Sequence, residues 1–456
     1  MPLAITSLDD FICGHSPRPV SCGHGLEIGA GTVIPEINFT LPAMEISEAT
    51  WPEIRKIYES LIEDICKRSV DLEVPGVLVE FETLPAMTNR PRWGLEIVEI
   101  LATALRHYHD KYGLKGALRF TPNDIRDYMA PSRMRSGPYF DAMITAFEGA
   151  AAAGADILSI ESTGGKEVCD EAVRYGNLRE MVFGLSILAA RDMHFLWTRI
   201  VETCRRTGIV AGGDAACAFG NTAMVLADQR FIPKVFAALV RVATVPRSLV
   251  AYQVGATGPS KDCSYEGPYL KAMTGIPIAM EGRASACAHL THVGNIVQAV
   301  CDTWSNESVQ YVRLLSAYAP TVSMEHLAYD CRMMNVAGRT HAGAVQLRDW
   351  AVDSDAGLDP QAWVLRPDVA LRISARIIEE RTPYLQTRAA AFWAAQELSD
   401  AIHGGLVKVN DRESRWLDKL MKNIDQLPDD ENELISEMLA SPLASKFIPE
   451  EYGIKV

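Results

Sequence analysis

The chain has 456 residues, 48% hydrophobic and 22% charged, the balance of a globular protein built as one large domain or two to three ordinary ones. Its formal charge of -14 argues against a nonspecific nucleic-acid binder, which needs basic surface. Residues 1–20 carry acids and prolines without a continuous apolar run, and the apolar windows 142–160 and 231–245 are broken by charge or glycine. Neither a signal peptide nor a membrane span is therefore expected, and the reading is cytoplasmic. The ten cysteines include no close Cys-x-x-Cys pair and read as reduced thiols.

In chain order, residues 21–42 are glycine-rich with short alternating runs, which predicts brief strands and turns ahead of the main domain. Residues 50–69 follow helical periodicity through Ile54, Ile57, Tyr58, Leu61 and Ile65. A repeating unit then begins. Strands are predicted at 76–80, 116–120, 155–160, 208–213, 248–253 and 275–280, with 319–323 and 333–336 as the last two. Helices are predicted between them at 92–112, 138–153, 178–207, 221–243 and 286–301. Short apolar strands alternating with helices argue a parallel sheet, and eight candidates argue an α/β fold of the TIM (β/α)8 barrel type. A doubly wound open sheet is the rival, weakened because no Gly-x-Gly-x-x-Gly opens a helix after a strand. From about residue 367 the texture changes to amphipathic helices at 367–379, 384–403 and 423–439, broken at Gly404-Gly405 and at 427–430. The division expected is a segment 1–70 packing on the barrel, the barrel itself at 71–366, and a helical extension at 367–456.

Three stretches place a soft or acidic ligand where a strand runs out: 159–166 (SIESTGGK), 213–220 (GDAACAFG) and 258–266 (GPSKDCSYE). Glu161, Cys217 and Cys263 together would offer one oxygen and two sulfurs, a set that suits a catalytic zinc with an open fourth position. Each has a plainer reading. Glu161 could brace a loop near Thr163, and Cys217 could be a small buried thiol at a turn. Cys263 sits in a polar loop where Lys261 or a metal could lower its pKa. Glu266 rivals Glu161 as the oxygen ligand, while Asp214 and Asp262 could orient a ligand, take a substrate proton or hold the loop. Cys287 and His289 read better as packing or substrate lining.

These stretches, with 159–170 (SIESTGGKEVCD), 212–221 (GGDAACAFGN) and 280–295 (MEGRASACAHLTHVGN), resemble the zinc-containing subunit of the methanol:corrinoid methyltransferases, the MtaB family, across almost the whole chain. The resemblance implies a TIM barrel with helical additions and one zinc per subunit, held by Glu161, Cys217 and Cys263. It implies that zinc activates methanol and that the methyl group passes to the cobalt(I) corrinoid of a separate protein, giving methyl-cobalt(III) and water. Asp214 and Asp262 are expected to assist, and the role of His292 stays open. The corrinoid would come from the partner, in agreement with the lack of an Asp-x-His-x-x-Gly signature here. The partner is expected over the barrel mouth, on a homodimer within a hetero-oligomer. The alternatives are the same zinc chemistry on another methyl donor, such as a methoxylated compound, or a noncatalytic scaffold for a corrinoid protein.

Overall fold

The computed structural model describes residues 2–41, 44–282, 291–309, 313–314 and 317–455. The chain opens with an antiparallel hairpin, β1 (His15–Cys22) and β2 (Leu26–Ala30). Strands β3 (Ile34–Thr40), β4 (Val77–Glu82), β5 (Gly116–Thr121), β6 (Ile157–Ile160), β7 (Val210–Asp214), β8 (Ala279–Glu281) and β9 (Thr303–Val309) then form one parallel sheet. Their spatial order is β7-β6-β5-β4-β3-β9-β8.

Alternation explains what faces where. In β4, Val77, Val79 and Phe81 join the main apolar cluster with Ile54, Tyr58 and Leu61 of the helix Trp51–Asp71. Leu78, Glu80 and Glu82 point the other way, into the concave side of the sheet. That interior is layered. At the floor, Leu26 and Ile28 of the hairpin pack on Ile34, Leu78, Ala117 and Ile157. One layer up, the fully buried Arg119 donates to Glu36 Oε1 at 2.8 Å and to Ser159 Oγ at 2.9 Å, and Thr303 Oγ1 donates to Glu36 Oε2 at 2.6 Å. Thr121 Oγ1 donates to Glu80 Oε1 at 2.6 Å.

The expectation of a closed eight-stranded barrel is not met. The sheet has seven strands, closes through 232° and leaves its edges 10 Å apart, an open half-barrel. Neighbouring strands lie about 4.8 Å apart, so the gap is about two spacings wide and admits one extended segment. Residues 257–260 lie there without becoming a strand. Thr257 and Gly258 donate their N–H groups to Ala211 and Gly212 of β7 at 2.8 and 2.9 Å. On the far side, Ser260 N–H donates to the Pro277 carbonyl at 3.2 Å, and Ser260 Oγ accepts from Ala279 N–H at 3.1 Å. Pro259 has no N–H to give and Gly258 has φ +85°, so no ladder propagates.

The strands predicted at 76–80, 116–120, 155–160 and 208–213 are present, and β8 covers the end of 275–280. The fifth, at 248–253, lies inside the helix Val245–Val254, and 319–323 and 333–336 lie inside the helix Ala319–Ala337. The glycine-rich N-terminal part contributes β3 to the middle of the sheet, and β9 is a strand that the pattern did not reveal. The predicted helix 178–207 is continuous, with a π-helical turn at Gly184–Ala189. The helix expected at 286–301 falls partly outside the described residues, with a 3-10 turn at Ile296–Gln298. Near the C-terminus, helices Pro367–Ile377, Pro383–His403, Asp411–Asp425 and Glu431–Leu439 follow one another. The small residues Ala390, Ala391, Ala394 and Ala395 are fully buried where the second of these packs on Lys234–Ala243. The stretch Lys234–Val254 is apolar and long enough to cross a membrane, but 94% of that window is buried inside the protein, as a core helix would be.

Candidate metal centre

Each candidate ligand is delivered by the C-terminal edge of the sheet. Glu161 follows β6 directly. β7 ends at Asp214, and Cys217 is the first residue of the helix Cys217–Asp228, where the helix dipole favours a thiolate. Cys263 rides on the loop that continues from the gap-filling segment 257–260. Packing is close here: a Cβ on Gly213 would lie 2.2 Å from the Tyr252 hydroxyl and 3.1 Å from the Ser260 Cα, so a side chain would have to displace Tyr252.

The ligand atoms of Glu161, Cys217 and Cys263 all lie within 4.8 Å of one another, and Cys263 Sγ is 2.8 Å from Glu161 Oε1. Among the described residues no other three His, Cys, Asp or Glu side chains converge in this way. Burial pushes both thiols far up, and the neighbouring Glu161 charge adds to it. Burial works against the Glu161 charge as well, but Lys261 and the hydrogen bonds from both cysteines win and hold that carboxyl below its usual range. Two thiolates and a carboxylate cannot coexist in so dry a pocket without a cation to balance them. The donor set therefore fits a metal ion such as zinc, which would replace the thiol protons.

Lys261 is the fixed charge beside it. Its ammonium lies 2.7 Å from Asp262 Oδ1, 2.9 Å from Glu161 Oε1 and 3.2 Å from Glu82 Oε2. Burial opposes this charge, yet Asp262 and its neighbours hold the Lys261 pKa well above the ordinary value. Asp262 faces the interior, accepting from Ser305 Oγ at 3.0 Å; Lys261 outweighs burial and keeps it ionised. Glu82, at the end of β4, is pushed up to about 7, first by burial and then by the surrounding acids, against the pull of Lys261.

Asp214 turns toward the helices, accepting from Trp197 Nε1 at 2.9 Å and Arg247 Nη2 at 2.8 Å. The rival ligand Glu266 is not among the three converging groups. Its Oε1 accepts from Ala216 N–H at 2.8 Å and from Ser248 Oγ at 2.6 Å, bracing the turn before Cys217. His292 is 59% exposed and its Nδ1 lies 4.0 Å from Asp359 Oδ2. Cys287 and His289 lie outside the described residues. The sequence reading passed over Glu82, Arg119 and Arg247. The signal was charge on the inward face of an otherwise apolar strand: Glu80 and Glu82 at alternate positions of β4, and Arg119 in β5.

A sequence profile of the family described as "MtaB: Methanol-cobalamin methyltransferase B subunit" matches residues 1–453. The chain belongs to the MtaB family. A methanol--corrinoid protein co-methyltransferase of Methanosarcina barkeri (strain Fusaro / DSM 804) is 38% identical over 457 aligned positions, 99% of this chain and 98% of that protein. The MtaB fold is also matched in three dimensions. A chain of the crystal structure of the methanol:cobalamin methyltransferase complex MtaBC from Methanosarcina barkeri aligns with a TM-score of 0.95 at 37% identity, covering 99% of each chain.

Proposed function

We propose that this chain transfers the methyl group of methanol to the cobalt(I) corrinoid of a partner protein, with zinc held by Glu161, Cys217 and Cys263. The convergence of those three side chains at the sheet mouth, in an MtaB-family chain, carries the reading. When bound, zinc supplies the Lewis acidity that draws charge from the breaking C–O bond. The reaction balances as methanol, cobalt(I) and a proton giving methyl-cobalt(III) and water.

The chain's own residues account for the rest. Two thiolates and a carboxylate place three negative charges around the ion, and Lys261 offsets part of that excess. Asp262 fixes Lys261 from the interior side, and Asp214 holds the Glu161 loop through the Ser162 N–H at 3.3 Å. With its carboxyl pushed up to about 7, Glu82 is about half protonated at neutral pH and can give or take a proton near the mouth. The ligands stand at the C-terminal ends of the strands, so the acceptor cobalt must come from that side, and the partner covers the mouth. The nine free cysteines among the described residues suit the reducing cytoplasm.

Methyl transfer from methanol to the reduced corrinoid protein, measured beside metal content, tests this. About one zinc per chain and turnover with methanol support it; a chain that binds the partner but retains no metal is a scaffold instead. Faster transfer from a methoxyarene than from methanol would reassign the donor. Hydrogen exchange should slow in the loops after β6 and β7 and around Cys263 when the partner is bound.

A further inference from the structure

The helix Val245–Val254, which pattern alone takes for a strand, sets Arg247 and Ser248 against the back of the site. Arg247 Nη2 has three acceptors: Ser162 Oγ at 2.6 Å, Asp214 Oδ1 at 2.8 Å and the Ser162 carbonyl at 2.9 Å. Its guanidinium also lies 5.1 Å over the ring of Phe219, in the helix that Cys217 begins. Ser162 is the residue after Glu161, and Asp214 ends the strand that leads to Cys217. The third ligand is tied to the same point, since Ser264, next to Cys263, donates from Oγ to the Asp214 carbonyl at 3.4 Å. Ser248 closes the circuit by donating to Glu266, which accepts from the Ala216 N–H. Every side chain in this chain of bonds is 2% exposed or less.

We infer that Arg247, acting through Ser162 and Asp214, is the positioning residue that sets the spacing of Glu161, Cys217 and Cys263. The inference rests on the zinc reading above. Guanidinium geometry is the reason for an arginine here. Nη2 reaches Ser162 and Asp214 while Nη1 of the same rigid plane donates to Ser248 Oγ at 3.1 Å, so one planar group ties the ligand loops to the helix, whereas a lysine is a point charge on a flexible stem. Ligand atoms must be held to a few tenths of an ångström for a metal to bind well. The three ligand loops come from distant parts of the sequence, and Arg247 with Asp214 touches Ser162 beside Glu161, Ser264 beside Cys263 and Phe219 two residues after Cys217. A purely structural ion pair has no need to choose those three neighbours.

The full-length chain, stripped of metal, is titrated with Zn2+ against a chromogenic chelator and separately with Co2+, whose thiolate charge-transfer and d–d bands report ligand geometry. Arg247→Lys keeps the charge and should weaken zinc about tenfold or more, with shifted Co2+ bands. Ser162→Ala deletes one acceptor and should weaken zinc about threefold, a smaller loss of the same kind. If Arg247→Lys does not fold, Ser162→Ala carries the test. Lys271→Met is the comparison: it breaks a buried pair with Asp302 (2.8 Å) elsewhere in the fold and should lower the melting temperature while leaving zinc and the Co2+ spectrum unchanged. Wild-type zinc affinity and spectrum in the Arg247 and Ser162 variants overturn the inference. So does an equal loss of zinc in Lys271→Met, because the effect then follows stability. A wild-type chain that binds no zinc overturns the zinc reading itself.

Discussion

The floor and the mouth of the half-barrel are built from the same strands about 13 Å apart, a rise of four residues, yet they follow opposite rules. At the floor, Ile34, Leu78, Ala117 and Ile157 meet Leu26 and Ile28 in an all-apolar contact. One step up each strand, the inward positions become Glu36, Glu80, Arg119 and Ser159, and a further step reaches Glu82, Thr121 and Glu161. Apolar burial stabilises a fold without direction, so the floor tolerates any filling of the right volume. Buried ions are costly to desolvate and are held only by specific partners, so the upper layers fix geometry at the expense of stability. The hairpin seals the end where position matters least. The other end, which must hold a metal and admit a substrate, carries the strict arrangement.

Substitutions can separate the two ends. The largest effect is expected at the mouth: Cys217→Ser or Cys263→Ser should lose most zinc and lower methyl transfer by about a thousandfold or more, because serine is a poor zinc ligand near neutral pH. Circular dichroism of both variants should match the wild type, and stoichiometric zinc in either would break the assignment. In the middle layer, Arg119→Met strands the buried Glu36 and should cost about 3–5 kcal/mol in urea unfolding. At the floor, Leu78→Ala should cost about 2–4 kcal/mol by leaving a cavity, with zinc content unchanged. If it also loses zinc, the two ends are not independent. The smallest effect, about 1 kcal/mol, belongs to Thr121→Val, which removes one hydroxyl donor to Glu80. Burial and then the nearby Asp262 raise the Glu80 carboxyl well above its usual range.

The same layering decides what the sequence could reveal. β4, β5, β6 and β7 read as strands because most of their residues are apolar or small. β9 did not, and β3 was expected only among the brief strands ahead of the main domain, since Glu36, Asn38, Thr303, Ser305 and Glu307 occupy the inward positions that a buried parallel strand usually fills with Val, Ile or Leu. The run at 248–253 is short and apolar, and periodicity cannot tell a buried strand from a buried helix at that length. The three converging side chains were legible because glycines and strand ends framed them. Arg247 was not, because its importance depends on a helix that the pattern had assigned to the sheet, and on partners far away in sequence.

The unclosed wall of the half-barrel has a consequence for how such a pocket changes. Cys263 is carried by a segment that touches the sheet edges through a handful of hydrogen bonds and belongs to no strand register. Adding or removing a residue within a strand would turn every following side chain to the wrong face. A residue inserted between Gly255 and Ser260 carries no such penalty. It moves one ligand relative to the other two while β7 stays paired to β6 and β8 to β9, so at this seam the metal site can be lost while the sheet is kept.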